Sequence, residues 1–563
     1  MARRFRQHDI RRVTELTGLW DFAFLGDVDP DDVDASALDF TDVMAVPGCF
    51  DATPAYAGRR GLAAYRTRVL LADEGAYRLV FDGVQHWCRV FADGRPVKDH
   101  GGGFTRFAVD LPPRAPGEAE VVVLVDNRFD PARSPLHRSY YDWYHYGGIA
   151  RGAELHRLAE AWVESIRVVT TELAPPRVHL EVDYRCRRGG LRAPLSVVVD
   201  GDVVLEETVL LDASGGRLAR SIDLPGAALW SPAAPALHLL HVRLGDDDLR
   251  DRIGLRQVRT EGRRLLLNGR PLRLLGFNRH ESHPAFGHGL PDALLVADVQ
   301  IMRDLGCNFV RNAHYPADVR FLDLCDEMGL CVWTEPVAWQ WKAEHLTDCR
   351  LVDAEVENLD EMVKAAANHP SVIMYGLLNE SASDDPKCRP AYERLVGRFR
   401  ETDPDRLVTY ASSRPFEDIC FDLADVISVN SYPGWYDGEV ADITARLAAI
   451  ADSVDSRGLA DRPLLLSEVG AGAIPGWRDW NRGLWSEEYQ ADVLDAVLEY
   501  VLSAGDRWCG VALWQFCDCR SSADRSRALF RPRSYNNKGI VDEYRRPKLA
   551  YDIVRRRFRA ANR

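Results

Sequence analysis

VIMYGLLNE (372–380) is an apolar run broken by one glycine and closed by an asparagine and a glutamate. A run this short and this apolar reads as a strand buried on both faces, as in a parallel sheet. Seven further stretches have a similar form: RLLGFNRH (273–280), NFVRNAHY (308–315), LCVWTEP (330–336), LVTYASS (407–413), DVISVNSY (425–432), LLLSEVG (464–470) and GVALWQF (510–516). Amphipathic stretches such as LLVADVQIMRDLG (294–306) and EYQADVLDAVLEYVLSAG (488–505) separate most of them. The exception follows Ser412, where the helix is short or absent. Eight strand-then-helix repeats predict a C-terminal (β/α)8 TIM barrel over residues 261–563.

Upstream the periodicity changes. GLWDFAF (18–24), YRLVFDGVQHWCRVFADG (77–94) and AEVVVLVDN (119–127) are strands broken by Gly, Pro and Asp, and no helical period appears before about residue 290. These predict an N-terminal β jelly-roll over residues 1–160. From WVESIRVVTTEL (162–173) to HLLHVRL (238–244), short strands follow at regular spacing and predict an immunoglobulin-like β-sandwich over residues 161–260.

A chain of 563 residues has room for several domains with cores of their own. Its 71 basic and 85 acidic residues give a net charge of −14, which argues against a chain-wide nucleic-acid or anionic-membrane surface. No apolar run approaches the roughly 18 residues of a membrane span. MARRFRQHDIRRVTEL is basic without a following apolar region, so no secretory signal is expected. The 12 cysteines include no C-x-x-C and read as reduced thiols, so the expected location is cytoplasmic.

In a TIM barrel the active site lies at the C-terminal ends of the strands. Those ends carry Asn278, Arg279 and His280; Arg311, Asn312 and His314; Glu335; Asn379 and Glu380; Asn430 and Tyr432; Glu468; and Trp514. Glu380 closes the fourth strand and Glu468 the seventh, so the two carboxylates can face each other across the ring. A pair of carboxylates flanking a cavity is the equipment of glycoside hydrolysis, one protonated as acid and one ionised. Nine of 14 tryptophans follow residue 330, among them Trp333, Trp339, Trp341, Trp435, Trp477, Trp480 and Trp485, and aromatic faces suit stacking on sugar rings. His280, His283 and His314 raise a metal reading, but Pro284 follows His283 directly, and no metal or cofactor is expected. The Arg- and Lys-rich segment 517–548 lies after the eighth strand and is a candidate clamp for an anionic substrate group.

With these residues in view, the chain resembles glycoside hydrolase family 2, and within it the bacterial β-glucuronidases. The resemblance spans nearly the whole length: GLWDF and GGGFTRF, then LLLNGRPLRLLGFNRHE (265–281), VRNAHYP (310–316), HPSVIMYGLLNE (369–380), NSYPGWY (430–436), LLLSEVG, WSEEYQ (485–490) and NNKGI (536–540). It implies a retaining reaction with Glu380 as acid/base and Glu468 as nucleophile. It further implies Asn379 on the sugar 2-hydroxyl, Tyr432 supporting the nucleophile, His314 lining the sugar subsite, and Asp142 from YYDWYHYGG (140–148) reaching into the site. Tyr436 and Trp514 are expected in the substrate-binding set. Asn536 and Lys538 match the Asn-x-Lys motif that contacts the C6 carboxylate in β-glucuronidases.

Some segments depart from that pattern. NRHESHP (278–284) is closer to β-galactosidases, yet their magnesium triplet Glu-x-His is absent from TEPVAWQWKAEHLTD (334–348). Val469 follows the nucleophile where glucuronidases usually have Tyr, and the stretch from Glu335 to Glu380 is short, implying an open entrance. The expected activity is cleavage of terminal β-D-glucuronides, from a conjugate or an oligosaccharide, by a homo-oligomer. β-Galacturonidase and β-galactosidase are the alternatives. A catalytically silent carbohydrate-binding scaffold would have one glutamate replaced, and both are present.

Overall fold

The computed structural model describes residues 5–138, 140–522 and 530–562. Two antiparallel sheets come first. One orders its strands Arg12–Glu15, Ala153–Leu158, Ala76–Phe81, Phe107–Asp110; the other orders Asp42–Val46, Gly18–Gly26, Leu62–Leu71, Gly117–Asp126, Trp87–Ala92, Arg95–Gly101. Alternating side chains from both, such as Phe22, Tyr65 and Val123 against Leu79, Phe81 and Leu155, bury in a single core, which makes the pair a sandwich.

A second sandwich follows. Ala161–Leu173, Pro176–Cys186 and Gly216–Asp223 form one sheet, and Asp202–Leu211, Leu191–Val199, His238–Leu244 and Asp247–Ile253 the other. In Pro176–Cys186 the inward residues are Val178, Leu180, Val182, Tyr184 and Cys186, a period of two that leaves Arg177, His179, Glu181 and Asp183 outward.

Eight further strands close into a parallel barrel: β1 (Leu274–Arg279), β2 (Phe309–Asn312), β3 (Cys331–Thr334), β4 (Val372–Asn379), β5 (Leu407–Ser412), β6 (Ile427–Asn430), β7 (Leu464–Val469) and β8 (Trp508–Leu513). Closure is made by β8 against β1, with Leu274 opposite Gly510 and Phe277 opposite Leu513. Every residue of β4, β7 and β8 is buried, which is why these strands read as apolar runs instead of alternating ones. Only a one-turn 3-10 helix, Phe421–Leu423, lies between β5 and β6, where the sequence shows no clear helix. β3 stops at Thr334 and β8 at Leu513, so Glu335 and Trp514 stand one residue beyond their strands.

The first sandwich sits on the mouth of the barrel. Its segment 127–152 crosses that mouth on the way back to Ala153–Leu158. Arg151 anchors it, donating to Glu281 Oε2 at 2.9 Å and to the Pro316 carbonyl at 2.8 Å. Tyr144 N donates to the Arg520 carbonyl at 2.7 Å, and the Trp143 ring lies 5.2 Å from the rings of both His280 and His314. One wall of the barrel mouth is therefore made of sandwich residues.

Candidate active site

Arg311 organises the floor. It is the penultimate residue of β2, with no exposed surface, and its guanidinium reaches five side chains, His314 Nδ1 among them at 3.3 Å from Nη2. Nη1 donates to Glu468 Oε1 at 2.7 Å and to Asn278 Oδ1 at 3.1 Å; Nη2 donates to Glu335 Oε1 and Asn379 Oδ1, both at 2.8 Å; Nε donates to Glu335 Oε2 at 3.0 Å. Below, the Trp333 ring lies 4.4 Å from the guanidinium carbon. A Cβ on Gly376 of β4 would come within 2.2 Å of Trp333 Nε1 and 2.9 Å of Glu335 Oε2, so this layer closes only over glycine.

Glu468 is 4% exposed and receives a second hydrogen bond from the Tyr432 hydroxyl, at 2.7 Å to Oε2. Burial pushes its carboxyl up to about 8, helped by the charge of Glu380 and opposed by Arg311 and the Tyr432 hydroxyl. Glu335 is held below the usual carboxylate range despite its burial, because Arg311 and His314 both face it. One guanidinium thus serves two carboxylates, and Glu335 takes the larger share of its charge.

Glu380 lies just past β4 in the left-handed backbone region, at φ 49°. Its Oε2 accepts from Gln340 Nε2 at 2.9 Å and its Oε1 from Asn430 Nδ2 at 3.1 Å. Glu380 and Glu468 line one cavity of about 520 Å³ together with Asp142, His314, Trp339, Gln340, Tyr432, Tyr436, Trp514, Phe530, Arg531 and Lys538. That size suits a monosaccharide with part of its leaving group. His314 Nδ1 lies 2.7 Å from Glu335 Oε1, and its ring stacks on Trp514 at 5.2 Å.

The opposite wall carries charge. Arg531 forks onto Asp142, with Nη2 to Oδ2 at 2.5 Å and Nε to Oδ1 at 3.1 Å, and Tyr140 donates to the same carboxylate. Burial works against ionisation of Asp142, yet the Arg531 pairing holds its carboxyl well below the usual range. Lys538 is 3% exposed and donates to the Tyr436 hydroxyl at 2.9 Å. Among the described residues no carboxylate forms an ion pair with it, and burial lowers the affinity of its amine for the proton. Asn536 is fully buried two residues earlier, and neither atom of its side-chain amide has a partner among the described residues.

Eight of the ten site residues expected from sequence line this cavity. Asn379 and Asn536 are buried beside it, outside the lining. Asn379 is turned toward Arg311, and its Nδ2 is left without a partner among the described residues. Of the expected tryptophans only Trp339 and Trp514 reach the cavity. Trp333 and Trp341 are core, Trp435 and Trp485 pack edge to face at 4.8 Å, and Trp480 is 97% exposed. Within the candidate clamp 517–548, residues 523–529 lie outside the described residues; of the rest, Phe530, Arg531 and Lys538 face the cavity. The carboxylate and histidine sets able to hold a cation among the described residues are Asp9–His241–Asp248 and Asp323–Asp326–His369, neither of which includes His280, His283 or His314.

Sequence reasoning passed over Gln340 and the individual role of Arg531. The first follows a tryptophan in a loop with no motif, and the second is one of several arginines in a run. Arg311 and Glu335 were visible as polar strand ends, but their pairing requires the closed barrel.

Two glutamates facing one sugar-sized cavity at the top of a parallel barrel make this chain a glycoside hydrolase. The model for "Glycosyl hydrolases family 2, TIM barrel domain" matches residues 258–562, and the chain belongs to glycoside hydrolase family 2. It is similar over its whole length to the family 2 β-galacturonidase of Eisenbergiella tayi, solved bound to galacturonate: 37% identity, TM-score 0.93, covering 100% of this chain and 99% of that one. The β-glucuronidase of Bifidobacterium dentium, complexed with coumarin-3-O-glucuronide, has 25% identity and a TM-score of 0.89, covering 98% of each chain. The β-glucuronidase of Paenibacillus borealis is 27% identical, covering 84% of this chain and 83% of the relative.

Proposed function

We propose that the chain is a retaining exo-hydrolase of terminal β-D-hexuronides, with β-D-glucuronides as the leading substrates. The observation that carries this is the ammonium of Lys538. It is buried in the wall of the same cavity as Glu380 and Glu468 and forms no direct ion pair with a carboxylate among the described residues; Asp142, the carboxylate that shares the wall, is forked by Arg531. A buried cation without a directly paired carboxylate is costly, and a uronate would supply one through a charge-assisted hydrogen bond. Tyr436, which lines the cavity and accepts from Lys538, is the natural second contact; Asn536, buried behind the lining with an unpartnered amide, would have to turn toward the substrate to add a third. Asp142 is already engaged by Arg531 and is left to accept from sugar hydroxyls.

In the first half-reaction a Glu468 oxygen attacks C1 while Glu380 gives its proton to the departing glycosidic oxygen. In the second, Glu380 takes a proton from water as the water oxygen bonds C1 and the ester to Glu468 breaks. Tyr432 and Arg311 stabilise the carboxylate that departs.

A second reading, β-D-galacturonide hydrolysis, is favoured by the 37% identity to the Eisenbergiella tayi enzyme. It keeps the carboxylate clamp and changes only the contact to the C4 hydroxyl. Side-by-side kcat/KM on p-nitrophenyl β-glucuronide, β-galacturonide and β-galactoside tests both. Either uronide leading by about a hundredfold, roughly 2.7 kcal/mol, supports the clamp and names the sugar; a leading galactoside overturns it. A cytoplasmic, homo-oligomeric enzyme is also proposed, in keeping with twelve free cysteines of which only Cys349 is exposed. Light scattering on the purified chain tests the assembly.

A further inference from the structure

Each carboxylate oxygen of Glu380 accepts from a side-chain amide, and both amides are oriented from behind. Arg138 Nη1 donates to Gln340 Oε1 at 2.9 Å. A guanidinium has no acceptor, so the amide oxygen must face Arg138 and the NH2 must face Glu380. On the other side Arg311 donates to Asn379 Oδ1, so Asn430 must turn its Nδ2 toward Asn379 and Glu380, and Ser467 Oγ then donates to Asn430 Oδ1 at 2.7 Å. Gln340 also stands at φ 51°, in the same left-handed region as Glu380. Backbone bonds hold both in place: Gln340 N to the Asn379 carbonyl at 2.7 Å and Glu380 N to the Ala411 carbonyl at 2.8 Å. Arg138 belongs to the sandwich segment over the mouth and lies 5.1 Å from the Trp339 ring centre.

We propose that Arg138 and Gln340 are positioning residues that hold Glu380 aimed at the attacking water in the second half-reaction, so that the sandwich takes part in deglycosylation. This rests on the reading of Glu380 as acid/base. In that step a water O–H breaks and its proton goes to Glu380, the water oxygen bonds C1, and the C1–O bond to Glu468 breaks with its electron pair returning to the Glu468 carboxylate. A base that has lost Gln340 is free to turn away from the water.

The test uses a 2,4-dinitrophenyl β-uronide, whose leaving group needs no acid, so that deglycosylation limits kcat. Gln340→Leu is expected to lower kcat about tenfold, the order of one hydrogen bond to a charged group. KM should fall with it, leaving kcat/KM nearly unchanged, and azide should restore kcat because it attacks without a base. Arg138→Met should behave alike with a smaller loss, and Arg138→Lys should recover most of it. A purely structural role would instead lower kcat/KM and give no azide response in either variant, which overturns the proposal. Glu380→Ala is run in parallel. If azide rescues it while Gln340→Leu behaves as wild type, the relay is wrong and the acid/base assignment stands. If azide does not rescue Glu380→Ala, the assignment itself fails and the relay with it.

Discussion

Arg311 and Glu468 are joined by a 2.7 Å hydrogen bond in which the arginine has no exposed surface and the glutamate almost none. The pair sits beneath the sugar cavity, and Glu335 competes with Glu468 for the same guanidinium.

Glu468→Gln should abolish turnover while leaving the fold intact. An amide cannot form the glycosyl ester, yet it fills the same volume and can still accept from Arg311. Activity on an activated aryl uronide and the melting temperature, measured together, check this. Residual turnover near wild type would remove Glu468 as nucleophile.

The raised carboxyl of Glu468, at about 8, has a pH consequence. Below that value the protonated, non-nucleophilic form gains, so kcat/KM should fall on the acid side well above the ordinary carboxylate range. Tyr432→Phe removes a hydrogen bond that favours the ionised form and should move this limb further up. The pH profile of both proteins on one substrate decides it. An acid limb near pH 4.5, or one unmoved by Tyr432→Phe, contradicts the argument.

Lys538→Ala should cost a uronide about a hundredfold in kcat/KM, or roughly 2.7 kcal/mol, and a galactoside far less. Equal losses on the two substrates would mean that Lys538 shapes the cavity without reading the carboxylate.

Gly376→Ala puts a methyl group within 2.2 Å of Trp333 Nε1, beside the Arg311 layer. A destabilisation of about 1–3 kcal/mol is expected from overpacking, together with a loss of kcat through displaced Glu335 and Arg311. Denaturant melts and kcat on the same preparation check both; an unchanged protein would mean that the layer is softer than its contacts imply.

The barrel was legible because strands buried on both faces, such as β4 and β7, leave long apolar runs, and because polar residues then interrupt those runs at the rim. Glu380 and Glu468 could be picked out for that reason. Asn379 was placed correctly at the rim but not by its side chain, since its direction depends on Arg311, which arrives from β2. Arg531 was hidden among neighbouring arginines, and which one turns inward depends on Asp142, nearly 400 positions away in the chain. Gln340 had no sequence signal at all: an amide gains meaning only from what lies on either side of it. Tryptophan was a poor guide, because burial in the core and display toward a sugar look alike in composition.

The segment 127–152 gives the position of Asp142 and Arg138 a practical meaning. A fragment cut to the barrel alone would keep both glutamates and still be an unfinished vessel. Arg531 would lose its counter-charge, Gln340 would lose the group that orients it, and the aromatic faces under Trp143 would open to water. The smallest working unit is therefore larger than the barrel that carries both glutamates, and anyone transplanting this chemistry to another scaffold must carry the lip of the cup along with the cup.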